Sequence, residues 1–556
     1  MPDRIQSYKV VCEGGLNSTE NHLYLAESAP GAATRLVNYE VSLYGGYRRI
    51  EGYKPYDESF PEVGAGTCEG PVLSVAIFKN STTQTTEIIC ARKNIGSDTY
   101  SLWKHVELVG WQQLDLGGIT RDSTNGTSGY RLRIRTAEFN FNGTNHIVFV
   151  DGLNSALVYD GTIFYEITPS GTGVQPTTNG DTTSAGGPNC PAAPSLVSVF
   201  KNRLFIGGDI TTPSQVSYSS PLTVYDFTAG LGAGYVQVGF DVVQFKPFRD
   251  NLYVFGSNSI SRIEDTGDAD LPFAIQPVTA NVGCVARDSV LEIGGDLLFL
   301  APDGFRPVAG TSRIGDVELE TVSRQIQSVV ANLGARYDFD NIVGTVIRSK
   351  SQVRYFFDDD STAVNNSFGI IGGLRSATTQ LQWEFGQLLG IRAYCATSEY
   401  VGREEIVLHG DYDGVLYQQE QGNDFAGENI LSLYQTPYYD FGDTEVRKTM
   451  RKVNTFIRAE GPFEMNMSVS YDWSDPRTSA PGTYVASSTG QPVLYGGLNI
   501  EYAGENIRYG GSEKPIIQSD IQGSGYAVQL TFVSLDNSEP FTLQGFVFEF
   551  SIAGRR

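Results

Sequence analysis

The sequence predicts an all-β protein, namely a β-propeller of about six to eight blades with an additional C-terminal β-sandwich-like domain. Composition is the first observation behind this prediction. Glycine accounts for 62 of the 556 residues, above its usual share of ~7%, which indicates many turns. Aromatic residues make up 12% and charged residues only 19%, which is typical of half-buried strands rather than helix bundles or coiled coils. With 40% hydrophobic residues, the chain is too apolar for general disorder.

The second observation is a recurring hairpin, in which an apolar strand, a turn rich in Gly, Asp and Asn, and a return strand follow one another. Such turns accept positive φ angles and therefore join neighbouring strands. They are clearest at Asp151-Gly152, Ser257-Asn258, Asp303-Gly304 and Asp413-Gly414.

The third observation is the spacing of the apolar strands. Their anchor residues have a mean spacing of about 53 residues, close to the repeat of a four-stranded propeller blade. The anchors are Ile88, Ile147, Leu204, Leu252, Leu297, Tyr355 and Ile406. A series of β-sandwiches with coincidental spacing is the alternative, but radially stacked sheets cover one another's faces better than separate sheets do.

These patterns predict that the chain is divided into three regions. Residues 1–60 are expected to form an N-terminal arm with the first strands, and residues 61–431 the propeller. Within the propeller, residues 168–190 are rich in Gly, Thr, Ser and Pro and predict a loop. The apolar spacing over 319–333 predicts one helix, which Gly334 would end. Alternating strands after about residue 430 predict a separate C-terminal β domain over 432–556.

The charge balance limits the classes of partner. The net charge of -23 and the pI near 4.6 argue against a surface that grips nucleic acid by neutralising phosphates. An acidic channel through which DNA slides without sticking remains compatible with this charge. The sequence shows no signal peptide and no apolar run long enough for a membrane helix, so we expect a chain made and folded in a reducing cytoplasm.

Cysteine and histidine spacing predicts neither a disulfide scaffold nor a metal site. The six cysteines form no CxxC pair, and the four histidines lie far apart. We expect free, mostly buried thiols and neither a cofactor nor a bound metal.

Sequence motifs of the common enzyme classes are also missing, since there is no HExxH, GxSxG, Walker or GxGxxG motif. A propeller glycosidase would need two carboxylates, which Asp358 to Asp360 or Asp411 and Asp413 could supply, and the same residues could bind Ca²⁺. A structural role at hairpin turns is favoured for them. The sequence therefore predicts that the chain is not an enzyme and has no catalytic residues.

Two basic rows are the candidate contact sites. In a strand, Arg131, Arg133 and Arg135 would share one face, with Leu132 and Ile134 on the other. This row could face DNA or an acidic neighbour, or it could pair with carboxylates across strands, which is favoured slightly. The second row has the same ambiguity, with a subunit interface as its functional interpretation. It consists of Arg447, Lys448, Arg451 and Lys452.

Three segments resemble one protein family. The first runs from Arg35 to Tyr53. The second runs from Val282 to Phe305 and is followed by Ser323 to Ile326, and the third comprises Thr436 to Gly442 and Arg447-Lys448. Together they resemble the tail tubular "nozzle" and packaged-DNA stabilisation proteins of short-tailed phages. The segments lie near the start, middle and end, so the resemblance spans most of the chain.

The resemblance implies a propeller with extra β domains, assembled as a ring that is usually hexameric, below the phage portal and adaptor. Such a chain would be a structural component of the virion tail, extending and closing the DNA channel and taking part in genome retention and ejection. Its partners would be copies of itself, the adaptor and portal, tail-fibre proteins and, transiently and non-specifically, viral DNA. A propeller-type carbohydrate-active enzyme or a receptor-binding module acting on host surface polysaccharide is the alternative.

Overall fold

The fold is all-β, as predicted, with 53% strand and 7% helix. It combines a β-propeller arrangement of five separate blades with a large, nearly closed barrel-like sheet. A computed structural model of the chain describes residues 5–57, 70–94, 96–106, 109–126, 131–171, 173–176, 182–268, 271–308, 321–357, 367–376, 381–474, 481–488 and 516–552.

Five short strands precede the propeller but do not form a sheet of their own. They are β1 (Ile5–Val11), β2 (Arg35–Val37), β3 (Tyr39–Val41), β4 (Tyr47–Arg49) and β5 (Tyr53–Pro55). A short helix, His22–Ser28, lies between β1 and β2. Strands β1, β3 and β4 join a sheet built mainly by the C-terminal residues, whereas β2 and β5 join the large sheet. The predicted N-terminal arm is thus divided between two sheets.

The five blades follow one another along the chain, and each is an antiparallel sheet of consecutive strands. The first two blades are β6 (Val72–Lys79), β7 (Thr86–Lys93), β8 (Tyr100–Val106) and β9 (Gly110–Gln113), then β10 (Arg135–Phe141), β11 (Thr144–Val150), β12 (Ala156–Tyr159) and β13 (Phe164–Ile167). A hairpin of β14 (Gly173–Pro176) and β15 (Thr182–Ala185) follows. The other three blades are β16 (Leu196–Phe200), β17 (Arg203–Gly207), β18 (Gln215–Tyr218) and β19 (Gly234–Gln237), then β20 (Gln244–Phe248), β21 (Asn251–Phe255), β22 (Ile260–Asp265) and β23 (Phe273–Thr279), and finally β24 (Leu291–Ile293), β25 (Asp296–Ala301) and β26 (Gly304–Pro307).

The remaining strands build the large sheet and the C-terminal sheet. They are β27 (Val343–Ile347), β28 (Gln352–Phe357), β29 (Phe368–Ser376), β30 (Leu381–Leu389), β31 (Cys395–Val401), β32 (Glu404–Gly410), β33 (Leu416–Gln419), β34 (Asp424–Phe425), β35 (Glu428–Gln435), β36 (Lys448–Ala459), β37 (Phe463–Tyr471), β38 (Tyr484–Ser488), β39 (Ile516–Asp520), β40 (Ser524–Gly525), β41 (Val528–Asp536) and β42 (Phe541–Ile552). In the large sheet, β27–β30 form one arm and β31–β33 the other, joined through β2, β35, β34 and β5.

The two arms of the large sheet close the circle of blades. Strand β27 contacts both β24 and β31, and β31 contacts β6 of the first blade. The five separate blades are fewer than the six to eight predicted because the last two hairpin units merge into the large sheet. Apolar side chains fill the spaces between neighbouring sheets, as Leu102 and Phe149 do between the first two blades.

The four predicted turns join β11 to β12, β21 to β22, β25 to β26 and β32 to β33. At the first of them, Gly152 has a φ of 78°. There the Asp151 carboxylate accepts hydrogen bonds from the backbone N–H groups of Leu153 and Asn154, at 2.9 and 2.7 Å. A side chain that closes its own turn in this way explains why these pairs mark the hairpins in the sequence.

The C-terminal residues share their sheets with the N-terminal strands. Strand β1 pairs with β42 along its whole length, from Ile5 opposite Ser551 to Val11 opposite Gly545. The predicted boundary at residue 432 falls inside β35, which pairs with β2 on one side and β41 on the other. One large core with Tyr39, Tyr434 and Phe546 among its buried residues lies under both termini. The C-terminal part is therefore continuous with the rest of the fold.

Two local predictions need correction. The helix predicted over 319–333 consists of short turns, a 3₁₀ turn at Arg324–Ile326 and α-helical turns at Gln327–Val330 and Leu333–Arg336, with Gly334 inside the last of them. The first predicted residue of that helix, Leu319, lies outside the described residues. The segment 168–190, predicted as a loop, contains the β14–β15 hairpin. Its polar composition hid the two strands because period-two apolar alternation is absent there.

The thiols match a simpler expectation. Within the described residues, Cys12, Cys90, Cys190 and Cys284 are free and buried, and Cys395 is free and half-buried. The remaining cysteine, Cys68, lies outside those residues. None of the described helices combines the length and the apolar character that crossing a membrane requires.

Candidate functional site

The candidate site is a cavity of about 230 Å³ at the centre of the propeller. It lies where the first strand of each blade begins, so five blades and both arms of the large sheet contribute to its wall. The lining comes from or directly precedes β6, β10, β16, β20, β24, β27 and β31. Since every innermost strand meets here, a side chain in the cavity can contact groups from distant parts of the chain.

One ion pair spans the cavity. Arg135, at the start of β10, points its Nε and Nη2 at the two carboxylate oxygens of Asp288, at 2.7 and 2.8 Å. Asp288 belongs to the 3₁₀ turn that precedes β24. Arg135 Nη1 also donates to the carbonyl oxygen of Ser195 at 3.2 Å. The pair thus ties the second blade to the fifth at the cavity.

Arg133 lines the same cavity and is almost fully buried. Its Nη2 donates to the carbonyl oxygen of Asn341 at 2.8 Å, and its guanidinium carbon lies 4.6 Å from the centre of the Tyr394 ring. The ring face attracts the cation. Arg133 Nε is buried and has no hydrogen-bond partner among the described residues. The guanidinium therefore places a positive charge beside the cavity.

Lys246 supplies a third cation. It projects from β20 into the cavity and is exposed to the solvent there, although protein surrounds it. This confinement lowers the pKa of the Lys246 amine; Asp288 and Glu292 oppose the shift, and Arg135 reinforces it. Nothing in the described parts of the chain forms a hydrogen bond or an ion pair with its Nζ.

Asp288 is the one carboxylate among the described residues that line the cavity. Burial would raise its pKa, but Arg135, with weaker contributions from Arg133 and Lys246, holds the pKa below its usual range. Asp288 therefore stays ionised and neutralises one of three cations. The cavity keeps an excess of positive charge inside a chain whose net charge is -23.

The basic row predicted from sequence is thus divided by the structure. Arg133 and Arg135 enter the cavity, whereas Arg131 Nη1 contacts the hydroxyl group of Tyr412 at 3.1 Å. Only Arg135 of the three belongs to a strand; the other two precede it. Arg135 does pair with a carboxylate, but its partner Asp288 lies on a distant turn rather than on a neighbouring strand.

The second basic row lies far from the cavity, at and just before β36. Arg447 and Arg451 are exposed; Arg447 Nη2 donates to the carbonyl oxygen of Ser524 at 3.2 Å. Lys452 Nζ lies 3.9 Å from Asp520. Lys448 is buried, and its amine donates to the carbonyl oxygens of Asp443 and Tyr526. Lys448 therefore stabilises the fold from inside. Like buried Arg133, it cannot serve as the predicted contact with another subunit or with channel DNA.

Sequence reasoning missed Lys246 and Asp288. Lys246 is the one charged residue of the short strand Gln244 to Phe248, which was the available signal. Asp288 follows Arg287 in a short turn and carried no pattern of its own. In the described part of the chain, no group of three or more His, Cys, Asp or Glu side chains could hold a metal ion.

A separate buried ionic network, which we call the junction network, connects the N-terminal strands to the large sheet. The Glu40 carboxylate on β3 accepts hydrogen bonds from Arg48 Nη1 and Lys350 Nζ, both at 2.8 Å. Arg354, on β28, lies 3.5 Å from Glu40 and 2.5 Å from Glu420. Burial would raise the pKa of Glu420, but Arg354 and Lys350 lower it to about 2. In this buried network the acidic and basic side chains stabilise one another's charges, as water would at the surface.

His409 borders the junction network and gives a pH prediction. Its ring is fully buried, which lowers its pKa to about 3, and Arg354 adds to the shift. Below pH 6.5 the unfolded chain therefore binds a proton at His409 that the folded chain does not, so acid should reduce the free energy of unfolding. We expect His409→Gln to remove up to about 1.4 kcal/mol per pH unit of that slope between pH 6 and 4, measured by urea unfolding. His22→Gln, at an exposed position, is the control and should keep the slope; an unchanged slope in His409→Gln would contradict the assignment.

Comparisons with known proteins found similarity to solved structures alone. No family model matches the chain, and no curated protein matches it. Similar solved structures include an exo-β-1,3-galactanase from Phanerochaete chrysosporium, with a TM-score of 0.24 and 10% identity over 90% of this chain and 100% of that chain. A family 43 arabinoxylan arabinofuranohydrolase from Bacillus subtilis has a TM-score of 0.24 and 12% identity over 91% and 99%. An ancestral family 74 glycoside hydrolase has a TM-score of 0.33 and 12% identity over 70% of this chain and 54% of that chain.

These neighbours correct one prediction. All three are glycoside hydrolases, which contradicts the prediction that the chain is not an enzyme. That prediction depended on missing local motifs, and catalytic carboxylates contributed by separate propeller blades leave no such motif in the sequence. At these identities and TM-scores, the likeness carries no argument about a particular activity of this chain.

Proposed function

We propose that the chain is a subunit of the tail nozzle of a short-tailed phage. Copies would form a hexameric ring that extends the DNA channel below the portal and adaptor and takes part in genome retention and ejection. The observation that carries this proposal is the meeting of the three family-like segments in one hydrophobic core. Among its buried residues, Tyr47 comes from the first segment, Phe305 from the second and Tyr439 from the third.

The contacts in this core give the segments a common structural role. The hydroxyl groups of Tyr47 and Tyr439 donate to the neighbouring carbonyl oxygens of Gly31 and Pro30, at 3.1 and 2.5 Å. Phe305 stacks on Tyr355 of the large sheet, with ring centres 4.6 Å apart. The segments that carry the resemblance therefore attach the chain termini to the propeller, which favours a rigid wall element.

The position of the cavity ion pair affects where DNA could pass. Because Arg135 and Asp288 bridge a central cavity of only about 230 Å³, a duplex, whose major groove alone is about 12 Å wide, would not fit through one chain. The proposed lumen would therefore lie between copies of the chain. The strongly acidic composition would limit adhesion of DNA phosphates to its wall. Arg447 and Arg451 remain available on the surface as candidate contacts between subunits.

The mass of the purified protein in solution tests the ring. We expect particles of six times the chain mass of 60.6 kDa, either alone or after mixing with the adaptor–portal complex of the same virion. The double variant Arg447→Glu and Arg451→Glu should shift those particles towards monomers, whereas Lys201→Glu, at an exposed lysine, should not. A stable monomer that does not bind the complex would contradict the proposal.

The second candidate is a propeller that binds or cleaves host surface polysaccharide. The cavity favours it, because solvent reaches a cationic group at the centre of the blades. Chain shortening of an acidic capsular polysaccharide by the purified protein would support cleavage, and co-sedimentation without shortening would support binding alone. If the purified protein neither shortens nor binds the polysaccharide, the nozzle remains the proposed function.

A further inference from the structure

We infer that the central cavity is a binding site for one small oxyanion, the carboxylate of an acidic sugar or a free phosphate or sulfate. The site lies within a single chain, so the inference depends neither on ring assembly nor on polysaccharide cleavage. Three observations support it: the excess of positive charge, the unused donors and the size of the cavity.

The charge excess is the first observation. Arg133, Arg135 and Lys246 line the cavity; Asp288 is the carboxylate of the described lining, and Glu292 acts on Lys246 from outside that lining. Cations that protein largely surrounds are costly unless opposite charges compensate all of them. In a chain with 63 acidic and 40 basic side chains, additional carboxylates would be the readily available neutralising groups. Their absence from the described lining leaves room for an anion from outside.

The donors are the second observation. Arg135 already donates hydrogen bonds to Asp288 and to the Ser195 carbonyl oxygen. It therefore holds the wall of the site in place and does not bind the ligand. Lys246 offers an ammonium group with three donors and no partner among the described residues. Arg133 is 8% exposed, and its buried Nε has no partner among the described residues, so Arg133 contributes its charge beside the cavity. An ammonium donor next to a second fixed cation suits an oxyanion, since charge-assisted hydrogen bonds to such groups are the strong ones.

The size of the cavity limits the ligand. Its volume of about 230 Å³ is below the range of roughly 300–1,000 Å³ that is typical of pockets for drug-sized molecules. A free inorganic anion or one charged sugar unit is therefore the expected occupant.

Calorimetric titration of the purified full-length chain tests the site, with chloride balancing the ionic strength. The probes are inorganic phosphate, sulfate, glucuronate and, as a neutral counterpart, glucose. Lys246→Gln should weaken the binding of the anionic probes about tenfold, the usual effect of losing one charge-assisted hydrogen bond, and Lys246→Arg should retain most of it. Lys201→Gln is the matched control and should bind as the unaltered chain does. Because Lys246 reaches solvent, thermal unfolding without a probe should be nearly unchanged in its variants.

The probes also distinguish the sources of the anion. Binding of glucuronate without phosphate or sulfate would support the inference and identify an acidic sugar. Binding of phosphate or sulfate would support it and identify a free inorganic anion. The inference is overturned if no anion binds, if glucose binds as well as glucuronate, or if Lys246→Gln binds the anions as the unaltered chain does.

Discussion

Replacing Arg354 by methionine is expected to lower the free energy of unfolding by about 3–5 kcal/mol, because the junction network would lose its central cation. Arg354 is 1% exposed. Its Nη1 and Nε donate to Gln419 and Gln352, both at 2.8 Å, in addition to the contacts with Glu40 and Glu420. Methionine fills a similar volume without charge, so the carboxylates would stay buried with too few partners. Urea denaturation at pH 7 measures the loss.

Two controls separate charge loss from a general effect of substitution. Arg403→Met, at an exposed turn of the same sheet, is expected to change stability by no more than about 0.5 kcal/mol. Adding Glu420→Gln to Arg354→Met should restore part of the stability, because it removes one of the uncompensated carboxylates. A loss below about 1 kcal/mol in Arg354→Met would show that the network contributes no more than an exposed pair does.

Gly31→Ala is expected to cost about 3 kcal/mol, the upper end of the range for inserting an atom into a packed core. A Cβ at this position would lie 1.7 Å from the carbonyl oxygen of Val11 and 2.9 Å from the backbone nitrogen of Glu13. Both are backbone atoms and cannot rotate aside. The Gly31 carbonyl oxygen also accepts from the hydroxyl groups of Tyr47 and Tyr434, at 3.1 Å each. Moving the backbone would therefore disturb the attachment of β1 to the core.

Thermal unfolding with a matched glycine variant checks this expectation. Gly230→Ala introduces the same methyl group where no atom lies within 4 Å, so its melting temperature should stay close to that of the unaltered chain. In the Gly31→Ala variant we also expect the backbone amides of β1 to exchange hydrogen faster than those of the first blade. If the two variants melt together, the approach of Gly31 to Val11 does not constrain the fold.

The propeller could be predicted because its hairpins are local in sequence. Each of the seven anchor residues lies on the second strand of its unit, namely β7, β11, β17, β21, β25, β28 or β32. Such a strand is covered on both faces, so it has a continuous apolar run that marks its position. The turn pairs are equally local, since Asp151 closes its own turn. Sequence patterns of this kind do not depend on distant residues.

The joins between units could not be predicted, because they depend on partners far away in the chain. Strand β2 has three residues and pairs with β30 and β35, and β5 pairs with β33 and β34. Strands this short carry no periodic pattern. The merging of two units into the large sheet, and with it the number of separate blades, is therefore invisible in the sequence.

The cavity could be predicted only in part, because its residues also come from distant parts of the chain. The alternation of Arg131, Arg133 and Arg135 with apolar residues predicted a common side, but only Arg133 and Arg135 share the cavity. Which carboxylate meets Arg135 depends on how the second and fifth blades face each other across the centre. Only the closed ring of blades brings Lys246 and Asp288 beside it.

The pairing of β1 with β42 also affects the synthesis of the chain. Ile5 is translated roughly 550 residues before its partner Ser551. At 5–20 residues per second, the first strand waits roughly 30–110 s for that partner. During this time its backbone N–H and C=O groups form an open edge that other chains could occupy. A nascent chain of this fold should therefore depend on chaperones until β42 emerges, and a transcript truncated before β42 should yield aggregated protein.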